Sequence, residues 1–166
     1  MVTSLKESLL ELARSVQTRL LVLLDGMDYC LDWKAESDSW SVRQVVYHLL
    51  YTPPGGLNGV LKGLLSGRLA EYELWADLDN ITPGRMEHDI EEIRQDIDQA
   101  FSDLAVALAS ATDQDLLEKT VVVHLKSRGE YVHRTADDLL RRGFEGHWEG
   151  HLEQLKELRE SLGFPG

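Results

Sequence analysis

The stretch "TADDLLRRGFEGHWEGHLEQLKELRESL", residues 135–162, reads as one amphipathic helix whose inner face decides what kind of bundle the chain builds. Thr135 followed three residues later by Asp138 is a helix-start signal, and the helix is expected from about Ala136 to Leu162. Leu140, Phe144, His147, His151, Leu155, Leu158 and Leu162 recur every three or four residues and form its expected inward stripe. His147 and His151 therefore stand where the period calls for an apolar side chain. Their four-residue spacing stacks them one turn apart on a single face, so two ring nitrogens can converge on one ion. Spacing alone is weak evidence, because scattered histidines often produce it by chance. Burial says more. A buried ring must satisfy its polar nitrogens, through a metal on one of them or through hydrogen bonds to carbonyls. From this helix alone both readings stay open.

The segment is not the metalloprotease motif in which glutamate directly follows the first histidine. Trp148 holds that place, and Glu149 lies two residues from each histidine, about 200° around the helix, pointing away from any shared ion.

Upstream, the same periodicity dominates. Leu5, Leu9, Leu12, Val16, Leu20 and Leu23 make a first helix, opened by a Ser4–Glu7 capping box and ended at "DGMD". A second opens at Ser41, with Gln44 completing the cap, and runs through "VRQVVYHLLYT" until Pro53 and Pro54 break it. A third helical stretch is expected in "GGLNGVLKGLLSGRLAEYELW", residues 55–75. Gly59, Gly63 and Gly67 fall on one face of it, read as a close packing surface. Thr82-Pro83 caps a further helix that Ile90, Ile93, Ile97, Phe101, Leu104 and Leu108 continue. Near residue 118 the pattern changes: "EKTVVVHLKSRGEYVHRT" has β-branched runs around a Ser-Arg-Gly turn and reads as a β-hairpin. Four main helices with one hairpin before the last imply a single all-α bundle domain spanning residues 1–166.

Composition bounds the function. A net charge of −12, with no run of lysine or arginine, repels a nucleic-acid backbone or an anionic membrane surface. The single cysteine, Cys30, excludes an internal disulfide, and with no secretory leader or membrane-length apolar run a cytoplasmic location is expected. No serine-histidine-aspartate spacing, phosphate loop or dinucleotide fingerprint appears. His124 and His133 on the hairpin, and His88, read as solvated surface residues, and the four tryptophans as packing.

A metal site needs a third ligand, and His48 is the candidate. It falls at the edge of the core arc made by Val42, Val45, Val46 and Leu49, with Ser41 and Thr52 nearby. The other reading is a boundary histidine bonded to solvent. Three neutral imidazoles would leave a divalent ion with an open position, as in catalytic sites, able to activate water for hydrolysis or a thiol for transfer.

"WSVRQVVYHLL" (Trp40 to Leu50) resembles the opening of the second helix in the DinB/YfiT-like superfamily. "GHWEGHLEQLKELRE" resembles that superfamily's C-terminal His-x3-His helix, including the glutamine-leucine pair Gln154-Leu155. The resemblance covers the whole chain. It implies a four-helix bundle in which His48, His147 and His151 bind one divalent ion, typically zinc or nickel. It also implies a homodimer, and an enzyme acting on a small molecule, such as a transferase using a low-molecular-weight thiol, or a hydrolase. The alternative is a non-catalytic dimeric bundle or small-molecule binding protein. In place of the acidic residue that many relatives carry a turn after the histidine, this chain has Tyr51, Thr52 and "PPGG", which alters one wall of the expected pocket.

Overall fold

The computed structural model describes residues 3–165; residues 1, 2 and 166, the ends of the expected domain, lie outside it. The first helix, α1 (Leu5–Leu23), begins at the expected Ser4–Glu7 capping box and buries Leu9, Ala13, Val16 and Leu20. α2 (Val42–Tyr51) begins at the expected Ser41–Gln44 box. After Pro53 and Pro54 the chain re-enters a helix, α3 (Gly56–Leu65). It stops ten residues earlier than the periodicity suggests, because Gly67 takes φ +75° and Arg68 and Leu69 bond back to the Gly63 carbonyl. Gly63 does make a close contact: a Cβ there would stand 2.8 Å from Leu69 Cβ. Gly59 has open space around it, and Gly67 lies beyond the helix, so the three glycines do not form one packing face.

The next segment, "EYEL", is not helical. It forms strand β1 (Glu71–Leu74), with Glu71 and Glu73 outward and Tyr72 and Leu74 inward. β1 pairs in parallel with β2 (Thr120–Leu125), which pairs antiparallel with β3 (Glu130–Thr135), so the expected hairpin is two-thirds of a three-stranded sheet. Between β1 and β2 the expected helix from Thr82 divides. A short α4 (Pro83–Met86) ends, and Asp89 with Glu92 caps a fresh α5 (Ile90–Ala109), after which comes α6 (Asp113–Glu118).

The last helix is continuous but not uniform: α7 (Ala136–Arg141) and α8 (Trp148–Ser161) are joined by a π-helical turn, Arg142–His147. Its buried line is Leu140, Phe144, Trp148, Leu152, Leu155 and Leu158. His147 and His151 are displaced to the edge of that line, half-buried, and Leu162 is likewise only half-buried. Along its middle the buried line therefore lies one residue away from the expected stripe: the indole of Trp148 fills the core place that the periodicity offers to His147.

α1 packs between α5 and α8, α8 against α2, α2 against α3, and α3 against α5, which closes a helical bundle around one apolar cluster. The corner carrying α4 is fastened to α2 by Arg43, which is 5% exposed. Its guanidinium donates to Asp32 and to the carbonyls of Arg85 and His88 at 2.7 and 2.6 Å. Among the described residues no helix is long and apolar enough to cross a membrane.

Candidate metal centre

α2 delivers His48 into the bundle with no solvent exposure at all, which excludes the boundary reading of this residue. Its Nδ1 donates to the Leu78 carbonyl at 2.6 Å, so its Nε2 carries the lone pair. The loop that presents Leu78 is fixed by Asn80. This residue adopts φ +59°, a left-handed conformation that asparagine tolerates better than most. Its amide donates to the Tyr47 carbonyl at 3.2 Å and to Thr52 Oγ1 at 2.9 Å, locking the loop onto the end of α2.

His147 and His151 approach from the π turn and α8. His151 Nδ1 donates to Gln154 Oε1 at 2.8 Å, so its Nε2 is also free to accept. The Nε2 atoms of His48 and His147 lie 2.8 Å apart, and ligand atoms of all three rings fall within 4.8 Å of one another. With Nδ1–H of His48 committed to Leu78, Nε2–H of His147 is the donor to Nε2 of His48; a divalent ion held by these rings would take the place of that proton. Trp40 closes the far side, with its ring stacked on His151 at 6.2 Å and tilted against His48 at 4.8 Å.

The electrostatics keep His48 and His147 neutral. Burial, reinforced by the neighbouring imidazoles of His48 and His151, lowers His147 to about 4. Burial also lowers His48, against the smaller raising effect of its bond to the Leu78 carbonyl. Neutral rings are the ligating form. The donor set fits a divalent ion: three imidazoles converge, and two of them have Nδ1 tied to oxygen, as the outer partners of metal-bound histidines usually are. Those partners are a backbone carbonyl and an amide rather than a carboxylate. Glu149 takes no part, forming instead a two-pronged pair with Arg19 on the surface.

Beside His147 opens a cavity of about 250 Å³ between the sheet and the last helix. Thr52 and Pro53 form part of its wall, where the "YTPPGG" segment departs from the pattern of the resemblance.

No protein-family model matches the chain, and no curated protein matches it in sequence. A solved structure does match. YfiT from Bacillus subtilis, described as a probable metal-dependent hydrolase with an unusual four-helix bundle topology, aligns with a TM-score of 0.71 at 19% identity, covering 96% of this chain and 89% of that one. The chain adopts the YfiT fold. The resemblance read from the helix-two and C-terminal motifs is thus matched in three dimensions, at the level of the fold.

Within the YfiT fold the remaining histidines stand apart from the three-ring cluster. His124 pairs across the hairpin with Tyr131, not with His133, which faces Val122. His88 is more constrained than a surface residue: its Nδ1 lies 2.8 Å from Tyr47 Oη and 3.0 Å from Asp96 Oδ2. Tyr47 is fully buried, and its hydroxyl donates to Asp96 at 2.6 Å, a bond that secures the helix carrying His48. Leu78 and Asn80 are residues of the candidate site that the sequence reading misses. A turn signal is present, since Asp79 Oδ1 accepts the Ile81 amide, but nothing in "DLDN" shows that its carbonyl meets a histidine 30 residues earlier.

Proposed function

We propose that this protein is a DinB/YfiT-like metal-dependent hydrolase acting on a small molecule, with one divalent ion, zinc or nickel, held by His48, His147 and His151. The observation that carries this reading is the convergence of the rings: Nδ1 of His48 and of His151 are spent on Leu78 and Gln154, Nε2 of His48 lies 2.8 Å from Nε2 of His147, and ligand atoms of all three rings lie within 4.8 Å of one another. Three imidazoles and no carboxylate leave the ion's full charge and an open position. A divalent ion supplies Lewis acidity, which activates water or polarises a carbonyl oxygen. The chain's own residues do the rest. Leu78 and Gln154 hold two ring orientations, Trp40 excludes water from behind, and the cavity beside His147 admits the substrate to the one side left open. The description of YfiT as a probable metal-dependent hydrolase supports hydrolysis as the reaction class.

The test is elemental analysis of untagged protein alongside His48→Ala and His147→Ala, with hydrolysis of p-nitrophenyl esters measured before and after chelation. About one ion per chain, absent from both variants, with turnover lost on chelation and restored by zinc or nickel, is the expected result. Metal-free wild-type protein that cannot be reconstituted, or turnover indifferent to chelator, would sink the proposal.

A further inference from the structure

The cavity beside His147 has an unusual lining for so acidic a protein. Although the chain carries 29 aspartates and glutamates, none lines it, whereas Arg134 and Arg142 both do. Arg134 breaks the pattern of its own sheet face. Tyr72, Leu74, Val123, Leu125 and Val132 line the cavity from the three strands, and the two-residue period puts Arg134 on the same face as Val132. A charged residue on an inward apolar sheet face is a site of function more often than of packing. Neither guanidinium forms an ion pair with a carboxylate among the described residues; Arg134 reaches only the His133 carbonyl, at 3.3 Å.

Arg142 reaches the cavity because of the π turn. Residues five apart on an α-helix point about 140° away from each other. In the π-helical segment Arg142–His147 the hydrogen bonds run from i to i+5, so Arg142 and His147 both face the cavity. Gly143 between them leaves room: a Cβ there would stand 2.9 Å from Leu57 Cδ1. The Tyr72 hydroxyl, pushed up to about 12 chiefly by burial, stays protonated as a further donor on the same wall. Cations and a hydroxyl donor on an apolar, acid-free lining select the charge of the guest.

Building on the reading of this cavity as the substrate site, we infer that it takes a small molecule with an apolar body and a carboxylate end, the carboxylate held by Arg134 and Arg142. The apolar strand residues cover the body, and the opposite end of the guest faces His147. Paired guanidinium groups suit a carboxylate because each offers charge-assisted donors in a planar fork.

Calorimetric titration with hexanoate and with hexanamide, its uncharged counterpart, tests this on the protein as purified and after chelation. Hexanoate should bind about tenfold tighter than hexanamide in both preparations. The preference should shrink in Arg134→Gln and in Arg142→Gln and vanish in the double variant. If the double variant has a lowered unfolding midpoint, Arg142→Gln at its exposed position decides. Equal binding of the two compounds, no binding of hexanoate at millimolar concentration, or a preference untouched by the substitutions overturns the inference. A preference that chelation abolishes while both substitutions leave it intact puts the carboxylate on the metal, so this inference falls and the proposed function stands. An arginine-dependent preference in protein that never binds metal supports the inference even though the metalloenzyme reading has failed.

Discussion

The Nε2 atoms of His48 and His147 lie 2.8 Å apart although the residues are separated by 99 positions in the chain. Such an approach between a buried imidazole and a half-buried one is costly unless something occupies the space between their lone pairs, either a proton or a metal. The two possibilities differ in what the third ring contributes. A single proton satisfies the His48–His147 pair and leaves His151 Nε2 unused, whereas a divalent ion would draw on all three rings.

This difference gives the first prediction. An ion that binds only the folded protein raises its unfolding temperature by mass action. Wild-type protein freed of metal should gain several degrees on addition of zinc at about a hundredfold over its dissociation constant. His151→Gln keeps a polar side chain at a half-buried position and should fold like the wild type, yet lose that gain. Equal zinc-induced shifts in the two proteins would show that His151 is not a ligand.

The second prediction concerns acid. An unfolded histidine titrates near 6.5, whereas folded His147 resists protonation until about 4. Between those values the unfolded chain binds more protons than the folded one, so stability rises with pH across that window. His147's contribution is complete above 6.5 and lost as the pH falls through about 4; it amounts to no more than about 3.5 kcal/mol. His48, also lowered by burial, acts in the same direction. Urea unfolding of the metal-free protein from neutral pH down to acid should therefore show a falling midpoint, with a shallower fall in His147→Gln. Parallel curves for the two proteins would contradict this account.

Much of this was legible because helix starts and apolar periods are local. Ser4–Glu7, Ser41–Gln44 and Thr135–Asp138 mark helix starts within four residues of sequence, and all three boxes form. The clustering of the three histidines was legible from the resemblance to known helix motifs, and only partly from period, since His147 and His151 sit beside the buried line rather than in it. What was hidden depends on distant partners. "EYEL" alternates for only four residues after a helical run, and becomes a strand because β2 lies alongside it. The π turn has no local signature in "RGFEGH"; it arises from fitting Trp148 to the core while His147 faces His48. Leu78 is invisible as a functional residue because it contributes a carbonyl, which every residue has.

The π turn is itself testable by removing one residue. Gly146 is exposed and has nothing within 4 Å of where a Cβ would be, so Gly146→Ala should leave structure and metal binding intact. Deleting Gly146 removes the one residue by which a turn bonded i to i+5 exceeds an α turn, so the segment should relax to an α-helix with α7 and α8 still in register. Arg142 and the first histidine then stand four apart on one face, and both histidines keep their places opposite His48. The deletion should retain zinc binding, measured by equilibrium dialysis. Loss of zinc binding in the deletion would show that the extra residue itself positions the histidines.

Gln154 tests the outer layer of the site without touching a ligand. Its side-chain oxygen is the acceptor that holds Nδ1–H of His151 at 2.8 Å and thereby leaves Nε2 as the accepting nitrogen. Gln154→Leu keeps a side chain of similar size at a half-buried position but removes the acceptor. His151 is then free to rotate or to carry its proton on Nε2, the ligating atom. Loss of such a partner typically weakens metal binding by about 10- to 100-fold while leaving the stoichiometry unchanged. Competition with a chromogenic chelator should show that weakening in Gln154→Leu, with Gln154→Glu restoring affinity because a carboxylate accepts the same bond. If the leucine variant binds zinc as tightly as the wild type, the His151–Gln154 pair is a surface hydrogen bond with no hold on the metal. If both variants lose affinity alike, bulk at position 154 matters and the acceptor does not.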